Sequence, residues 1–112
     1  MKIAISSKGK DINSEIDDIF GRCSYFIIAE VDNKEIKKSE SVENTNVNQM
    51  GGAGIATAQM MAEKDVNAVI TGNVGPRAFD VLKQFNIEVY SGEGVVKEVL
   101  QKFIDGKLKK IQ

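Results

Sequence analysis

Residues 67–90 read NAVITGNVGPRAFDVLKQFNIEVY, and this stretch decides the fold. It begins with a short apolar run, passes through a loop containing Gly and Pro into apolar residues at helical spacing, and ends in a second apolar run. Pro76 stands where the first residue of a helix tolerates proline. The pattern predicts strands at 67–71 and 87–90 with a helix at 76–85 between them, and therefore a parallel strand pair.

Segments on both sides extend this unit into one sheet. Apolar runs predict strands at 2–7 and 25–31, and the polar run 35–42 predicts a solvent-washed edge strand. Helical spacing predicts a helix through 55–62 and a last helix at 96–104. The element order is β-β-β-α-β-α-β-α, which predicts an α/β fold with a mixed five-stranded sheet and helices on both faces.

The remaining residues predict no second domain. Residues 11–20 carry apolar side chains at helical spacing, which predicts one or two irregular helical turns. No repeat or linker interrupts the chain, and its 112 residues suffice for one hydrophobic core. We therefore expect a single domain over residues 1–112.

Composition indicates an ordinary globular protein, with 42% hydrophobic residues, 28% charged residues and a net charge of −1. This balance argues against a nucleic-acid partner, which favours a basic domain. The start of the chain lacks a signal-peptide pattern, and no apolar run approaches the roughly 18 residues of a membrane span. We expect a cytoplasmic protein without a membrane partner. The acidic segment 11–18 and the basic segment 97–110 are most simply solvated faces.

Two counts restrict the chemistry most: the chain has no His and one Cys. Ordinary Cys/His zinc sites and His-based acid–base catalysis are therefore excluded within one chain. Ser6, Ser7 and Ser24 have no His to activate them. The strand at 2–7 holds no acid of the kind that a two-metal nuclease needs. We expect a protein that is not an enzyme.

Two glycine-bearing loops are the best candidates for a ligand site. Their candidate residues are Gly51, Gly52, Ala53 and Gly54 in the first, and Asn73, Val74 and Gly75 in the second. Each loop enters a predicted helix, whose unpaired N–H groups favour an anion, and glycine lets the backbone approach a ligand. Turn formation alone is the alternative interpretation of both loops. Neither loop fits a nucleotide-binding motif.

The segment before the second strand supplies the remaining candidates. Arg22 could bind an anion or form a structural ion pair. Cys23 is a candidate metal ligand as a thiolate, although a lone Cys is more often a small buried hydrophobe. Met50, beside the first glycine loop, is a candidate thioether ligand for a soft metal.

Five stretches along the chain carry a resemblance to a known family. They are KIAI at 2–5, FGR at 20–22, GGAG at 51–54, VITG at 69–72 followed by Gly75-Pro76, and IEVY at 87–90. In this order they resemble the dinitrogenase iron–molybdenum cofactor biosynthesis family. The resemblance implies a ribonuclease-H-like three-layer fold and, in some members, carriage of an anionic iron–sulfur or molybdenum-containing cluster. Cofactor-binding relatives use His or Cys ligands, of which this chain offers one.

These observations lead to one functional hypothesis and one alternative. The hypothesis is a non-enzymatic binder or carrier of a small anionic ligand, with an iron–sulfur or iron–molybdenum type cluster or its precursor as a candidate and a cofactor-assembly protein as a candidate partner. The alternative is a metal-free protein–protein interaction module that docks through the strand at 35–42 or the basic last helix.

Overall fold

The computed structural model of the protein describes residues 1–111. Within that range strands and helices follow one another along the chain. They are β1 (Lys2–Ser7), β2 (Tyr25–Asp32), β3 (Glu35–Glu43), α1 (Ala53–Glu63), β4 (Ala68–Thr71), α2 (Pro76–Gln84), β5 (Glu88–Ser91), α3 (Val96–Ile104) and β6 (Lys109–Lys110). A 3₁₀ turn at Phe20–Arg22 precedes β2.

The strands form one mixed sheet in the order β3-β2-β1-β4-β5-β6. The central strand β1 pairs antiparallel with β2 and parallel with β4, and β4 pairs parallel with β5. The outer pairs, β2 with β3 and β5 with β6, are antiparallel. Because β1, β4 and β5 run in the same direction, the loops that follow them meet at one edge of the sheet.

Helices cover the sheet on both faces, which confirms the predicted three-layer architecture. On one face α1 and α2 pack over a core that includes Phe20, Phe26 and Leu82. On the other face α3 packs over a core that includes Ile5 and Ile70. Successive side chains along β1 and β4 point to opposite faces of the sheet, so both strands contribute residues to both cores. Each fully buried side chain of this size stabilises the fold by roughly 1.5–3 kcal/mol.

The predicted count of five strands was wrong by one. The sixth strand is the two-residue β6, which pairs with Tyr90 and Ser91 of β5. Gly106, in a left-handed conformation with φ 71°, reverses the chain after α3 and makes this pairing possible. A strand of two lysines has no hydrophobic alternation, so no sequence pattern indicates it.

The predicted helical turns at 11–20 are largely absent. This segment lies along the sheet edge, where the Ile16 N–H donates to the Gly94 carbonyl at 2.7 Å and the Val96 N–H donates to the Ser14 carbonyl at 2.9 Å. Ile16 is buried against the α3 face. Long-range backbone hydrogen bonds therefore satisfy groups that a local helix would have used.

The first helix buries a different stripe from the predicted one. Helical spacing placed Ile55, Ala58, Gln59 and Ala62 on one stripe, but Met61 is fully buried along with Ala58, and Gln59 is exposed. No helix within residues 1–111 combines the length and apolarity that a bilayer crossing requires.

Candidate functional site

Three segments converge at one end of the molecule: the 3₁₀ turn, the first turn of α1 and the first turn of α2. Together they surround a cavity of about 480 Å³. The residues that line it are Ile19, Phe20, Gly21, Arg22, Gly52, Ala53, Gly54, Ile55, Asn73, Gly75, Pro76, Arg77 and Ala78. We call it the arginine cavity because it contains the two arginines of the sequence.

Glycines allow these segments to approach one another. A Cβ atom at Gly21 would lie 2.9 Å from the backbone N and Cα of Gly54, closer than real Cβ contacts allow. A Cβ at Gly54 would lie 3.2 Å from the Ala78 Cβ, so α1 and α2 also meet through a glycine. Both glycines therefore have a packing role that shapes the cavity walls.

Backbone pairing fixes the 3₁₀ turn to the loop that enters α2. The Phe20 N–H donates to the Asn73 carbonyl at 3.1 Å, and Ile19 and Asn73 form an isolated parallel bridge. The ring of Phe20 is buried and meets Phe26 edge-on with centroids 5.5 Å apart. One side of the cavity is thus anchored in the core beneath α1 and α2.

Both helix N-termini at the cavity lack their own neutralising groups. Gly52, with φ 69°, precedes α1, and Gly75, with extended backbone, precedes α2; neither helix has a side-chain cap or an acidic residue in its first turn. In α1 the N–H groups of residues 53–55 have no intrahelical acceptor, and in α2 the same holds for residues 77 and 78, since Pro76 has no N–H. The partial positive charge of both helices therefore faces the cavity.

Two guanidinium groups add full charges. Arg22 donates through Nη1 to the carbonyls of Val47 at 3.0 Å and Gln49 at 2.6 Å, which ties the loop before α1 to the cavity rim. Its other nitrogens make no hydrogen bond within residues 1–111. Arg77 lies in the first turn of α2, where the helix dipole disfavours a cation unless an anion is near.

The structure brings most of the predicted ligand-site residues together. Arg22, Gly52, Ala53, Gly54, Asn73 and Gly75 line the cavity. Gly51 lies outside and is exposed, with its carbonyl accepting a hydrogen bond from Gln49 Nε2 at 2.7 Å. Val74 packs against the core, and Met50 is fully exposed on the loop, outside the lining. Met50 and Val74 therefore do not face the cavity.

Cys23 is directed into the core. It is fully buried, and its thiol donates to the Phe20 carbonyl at 3.3 Å. The Asn44 side-chain amide donates to the Cys23 carbonyl at 2.9 Å. Burial, with a smaller effect of the Asp17 carboxylate, raises the pKa of this thiol to about 12. Within residues 1–111 no three His, Cys, Asp or Glu side chains group around a metal-sized space.

The sequence interpretation missed Arg77 and the apolar wall formed by Ile19 and Ile55. A signal for Arg77 was present: a cation in the first turn of a helix opposes the helix dipole, so its position after Gly75-Pro76 is itself informative. Ile19 is about half exposed, and no periodicity indicates that this exposed side chain borders a cavity.

Comparisons with known proteins give consistent results. The family model described as dinitrogenase iron-molybdenum cofactor matches residues 1–106. An uncharacterized protein of Methanocaldococcus jannaschii is 41% identical over 113 residues, covering 100% of this chain and 92% of that protein. A second uncharacterized protein of the same organism is 30% identical, covering 99% of this chain and 94% of its own length.

Among solved structures, the apo form of the orange protein from Desulfovibrio gigas superposes with a TM-score of 0.91. It is 29% identical to this chain, and the superposition covers 98% of this chain and 92% of the orange protein. The two proteins therefore share the fold over nearly their full lengths.

Proposed function

The chain belongs to the dinitrogenase iron–molybdenum cofactor family, and within it we propose that this protein is a non-enzymatic binder or carrier of a small anionic ligand. The ligand is held in the arginine cavity. An iron–sulfur or molybdenum-containing cluster, or its precursor, is the candidate cargo, and a cofactor-assembly protein is the candidate partner that supplies or receives it. The orange protein, which shares this fold, is described as an apo form, a term for a protein without the group that it binds.

One observation carries the proposal: two uncapped helix N-termini and two arginine residues line one cavity that has no acidic residue in its lining. Each N-terminus contributes about half a positive charge. Such a concentration of positive potential is costly without a counter-charge, and a bound anion supplies it. The fixed N–H groups need no reorganisation when that anion arrives.

The side chains available as metal ligands determine which kind of cluster fits the cavity. Cys23 is a buried neutral thiol, the sequence has no His, and Met50 is fully exposed and lies outside the lining of the cavity. The cavity therefore does not fit a cluster that takes its ligands from side chains. It fits an anionic cluster that brings its own sulfide or oxide ligands, which accept hydrogen bonds from backbone N–H groups and guanidinium nitrogens.

Anaerobic loading tests the proposal directly. Purified protein is offered iron, sulfide, molybdate and copper, desalted, and examined by elemental analysis and absorption spectroscopy. We expect stoichiometric metal in the wild type and in the control Lys97→Gln, and loss of most of it in Arg22→Gln/Arg77→Gln, because two charge-assisted contacts are removed. Loading that is lost in Cys23→Ala instead, with the fold intact, would identify a thiolate ligand. A metal-free wild type would reject the cluster as cargo.

Gly75→Asp gives a second test with opposite effects on stability and binding. Gly75 has an extended N-cap backbone, and a Cβ there meets no atom within 4 Å. An Asp should cap α2 and stabilise the fold by about 0.5 kcal/mol. Its carboxylate would also occupy the anion position, so ligand affinity should fall by about tenfold or more, a loss above 1.4 kcal/mol.

Urea unfolding and the loading assay measure these two quantities. Gly75→Ser is the matched control, since it caps the helix without adding charge and should retain more affinity. Equal loading of Gly75→Asp and wild type would show that the N-terminus of α2 does not contact the ligand.

A further inference from the structure

A second cavity, of about 630 Å³, lies beyond the carboxyl ends of β4 and β5. Gly72 and Asn73 border it from the loop after β4, and Ser91 and Gly92 border it from the end of β5 and the loop that follows. Asn73 also lines the arginine cavity, so the two spaces are neighbours at the same edge of the sheet.

This cavity lies at a switch point of the sheet. The parallel neighbours β4 and β5 are followed by helices on opposite faces: α2 packs with Val69 and Val89 on one face, and α3 packs with Ile70 on the other. Where adjacent strands send their helices to opposite faces, the two loops separate and leave a crevice. Ligands of open α/β sheets bind in crevices of this kind.

The C-terminal segment brings three lysines to the crevice. Lys102 comes from α3, and the turn at Gly106, where the Lys107 N–H donates to the Lys102 carbonyl at 2.8 Å, returns the chain beside it. Pairing of β6 with β5 then places Lys109 opposite Ser91. The short sixth strand thus positions charge at this site; we call the space the lysine crevice.

None of these three lysines forms an ion pair within residues 1–111. The ion pairs within residues 1–111 use Lys8, Lys37, Lys38 and Lys110. Lys102, Lys107 and Lys109 therefore have no carboxylate within 4.0 Å among those residues. Asp18 and Glu93 also line the crevice, so three lysines and two acidic residues border it.

We propose that the lysine crevice binds a phosphorylated small molecule that also carries hydroxyl groups, such as a sugar phosphate or a nucleotide. Ammonium groups are compact charges that bind phosphate, while carboxylates repel a bare anion but accept hydrogen bonds from hydroxyls. The volume suits a ligand of this size. Gly72 and Gly92 have a packing role, because a Cβ at Gly72 would collide with Asp18 and a Cβ at Gly92 would collide with Val99.

Calorimetric titration with ribose 5-phosphate, AMP and inorganic phosphate at low ionic strength tests the site. We expect ribose 5-phosphate to bind the wild type, and Lys107→Ala/Lys109→Ala to weaken it by about tenfold. The exposed side chains of these lysines can be removed without disturbing the core. Lys97→Ala, on α3 and outside the lining, and the arginine-cavity variant Arg22→Gln/Arg77→Gln should bind as the wild type does, which separates this site from the one proposed above.

Glu93→Gln tests the hydroxyl contact. It should weaken ribose 5-phosphate, because an amide is a poorer acceptor, and tighten inorganic phosphate, because a repulsive charge is gone. Tighter binding of both probes would overturn the assigned ligand class. Two results would overturn the site itself. One is unchanged affinity in the lysine double variant, and the other is no binding of any probe at about 10 mM, which corresponds to a binding free energy weaker than about −3 kcal/mol.

Discussion

Burial determines what Cys23 can do. The same residue in an exposed, electropositive loop would be a thiolate suited to metals, but here it is fully enclosed beside Phe20 and Asn44. Its pKa of about 12 keeps it a neutral thiol at neutral pH. In the structure it therefore contributes to packing and to the hydrogen bonds at the start of β2.

The shifted pKa makes stability depend on alkaline pH. The folded protein retains the Cys23 proton above the ordinary thiol pKa of 9.0, whereas the unfolded chain releases it, so the free energy of unfolding falls as pH rises from about 9 toward 12. At about pH 10.5 the loss should be about 2 kcal/mol relative to pH 8. Urea unfolding of wild type and Cys23→Ala at both pH values measures it. Other titrating groups contribute equally to both proteins, so parallel pH profiles would contradict the buried thiol.

At the scale of elements, the arginine cavity depends on the contact between the 3₁₀ turn and α1. Gly21→Ala would place a Cβ 2.9 Å from the Gly54 backbone, which cannot move without shifting α1. We expect a destabilisation of about 1–3 kcal/mol, as for other over-packed sites. Gly51→Ala is the matched control, because a Cβ there meets nothing within 4 Å and should be neutral or slightly stabilising. Similar unfolding free energies for the two variants would show that the turn does not press on α1.

Elements with strong periodicity were predictable, and the others were not. The β4–α2–β5 unit was predicted correctly because its signals agree: short apolar runs indicate the two strands, and helical spacing together with Pro76 indicates the helix between them. Residues 11–19 have apolar side chains at helical spacing, yet backbone pairing with Gly94 and Ser7 determines their conformation. The sequence of the segment itself does not indicate these partners. The strand β6 depends in the same way on β5, which lies almost twenty residues earlier.

The candidate site was predictable as a group of loops and not as a set of contacts. The loop at 73–75 follows the parallel strand β4, so its place at the carboxyl edge of the sheet was predictable. The loop at 51–54 follows the edge strand β3 and Arg22 precedes β2, so their meeting with that loop depends on the packing of α1 and the 3₁₀ turn. The sequence did not predict the direction of each side chain. Cys23 is buried and its neighbour Arg22 is exposed, although both lie in the same short segment. The lysines of the crevice, interpreted as a solvated tail, gather only because of the turn at Gly106.

At the scale of the whole molecule, the helices do not cover all strands of the sheet equally, and the charges are not spread evenly. Helices enclose the middle of the sheet, while the residues of β3 are almost all exposed. The net charge of −1 gives little long-range attraction for an anion. Affinity for an anion in the two proposed sites would therefore come from local fields at the carboxyl ends of the parallel strands, where both cavities lie.

Hydrogen–deuterium exchange can test the contrast between the covered middle of the sheet and the exposed strand β3. Amides of β1 and β4, paired on both sides beneath both helical layers, should exchange most slowly, and those of β3 much faster. Ligand in the arginine cavity should add protection at residues 20–22, 52–55 and 75–78, and leave β3 unchanged, since a ligand stabilises the groups it contacts. The same ligand should protect nothing in Arg22→Gln/Arg77→Gln. Protection that appears at β3 instead, on addition of a partner protein and without any small ligand, would favour an interaction module over a carrier.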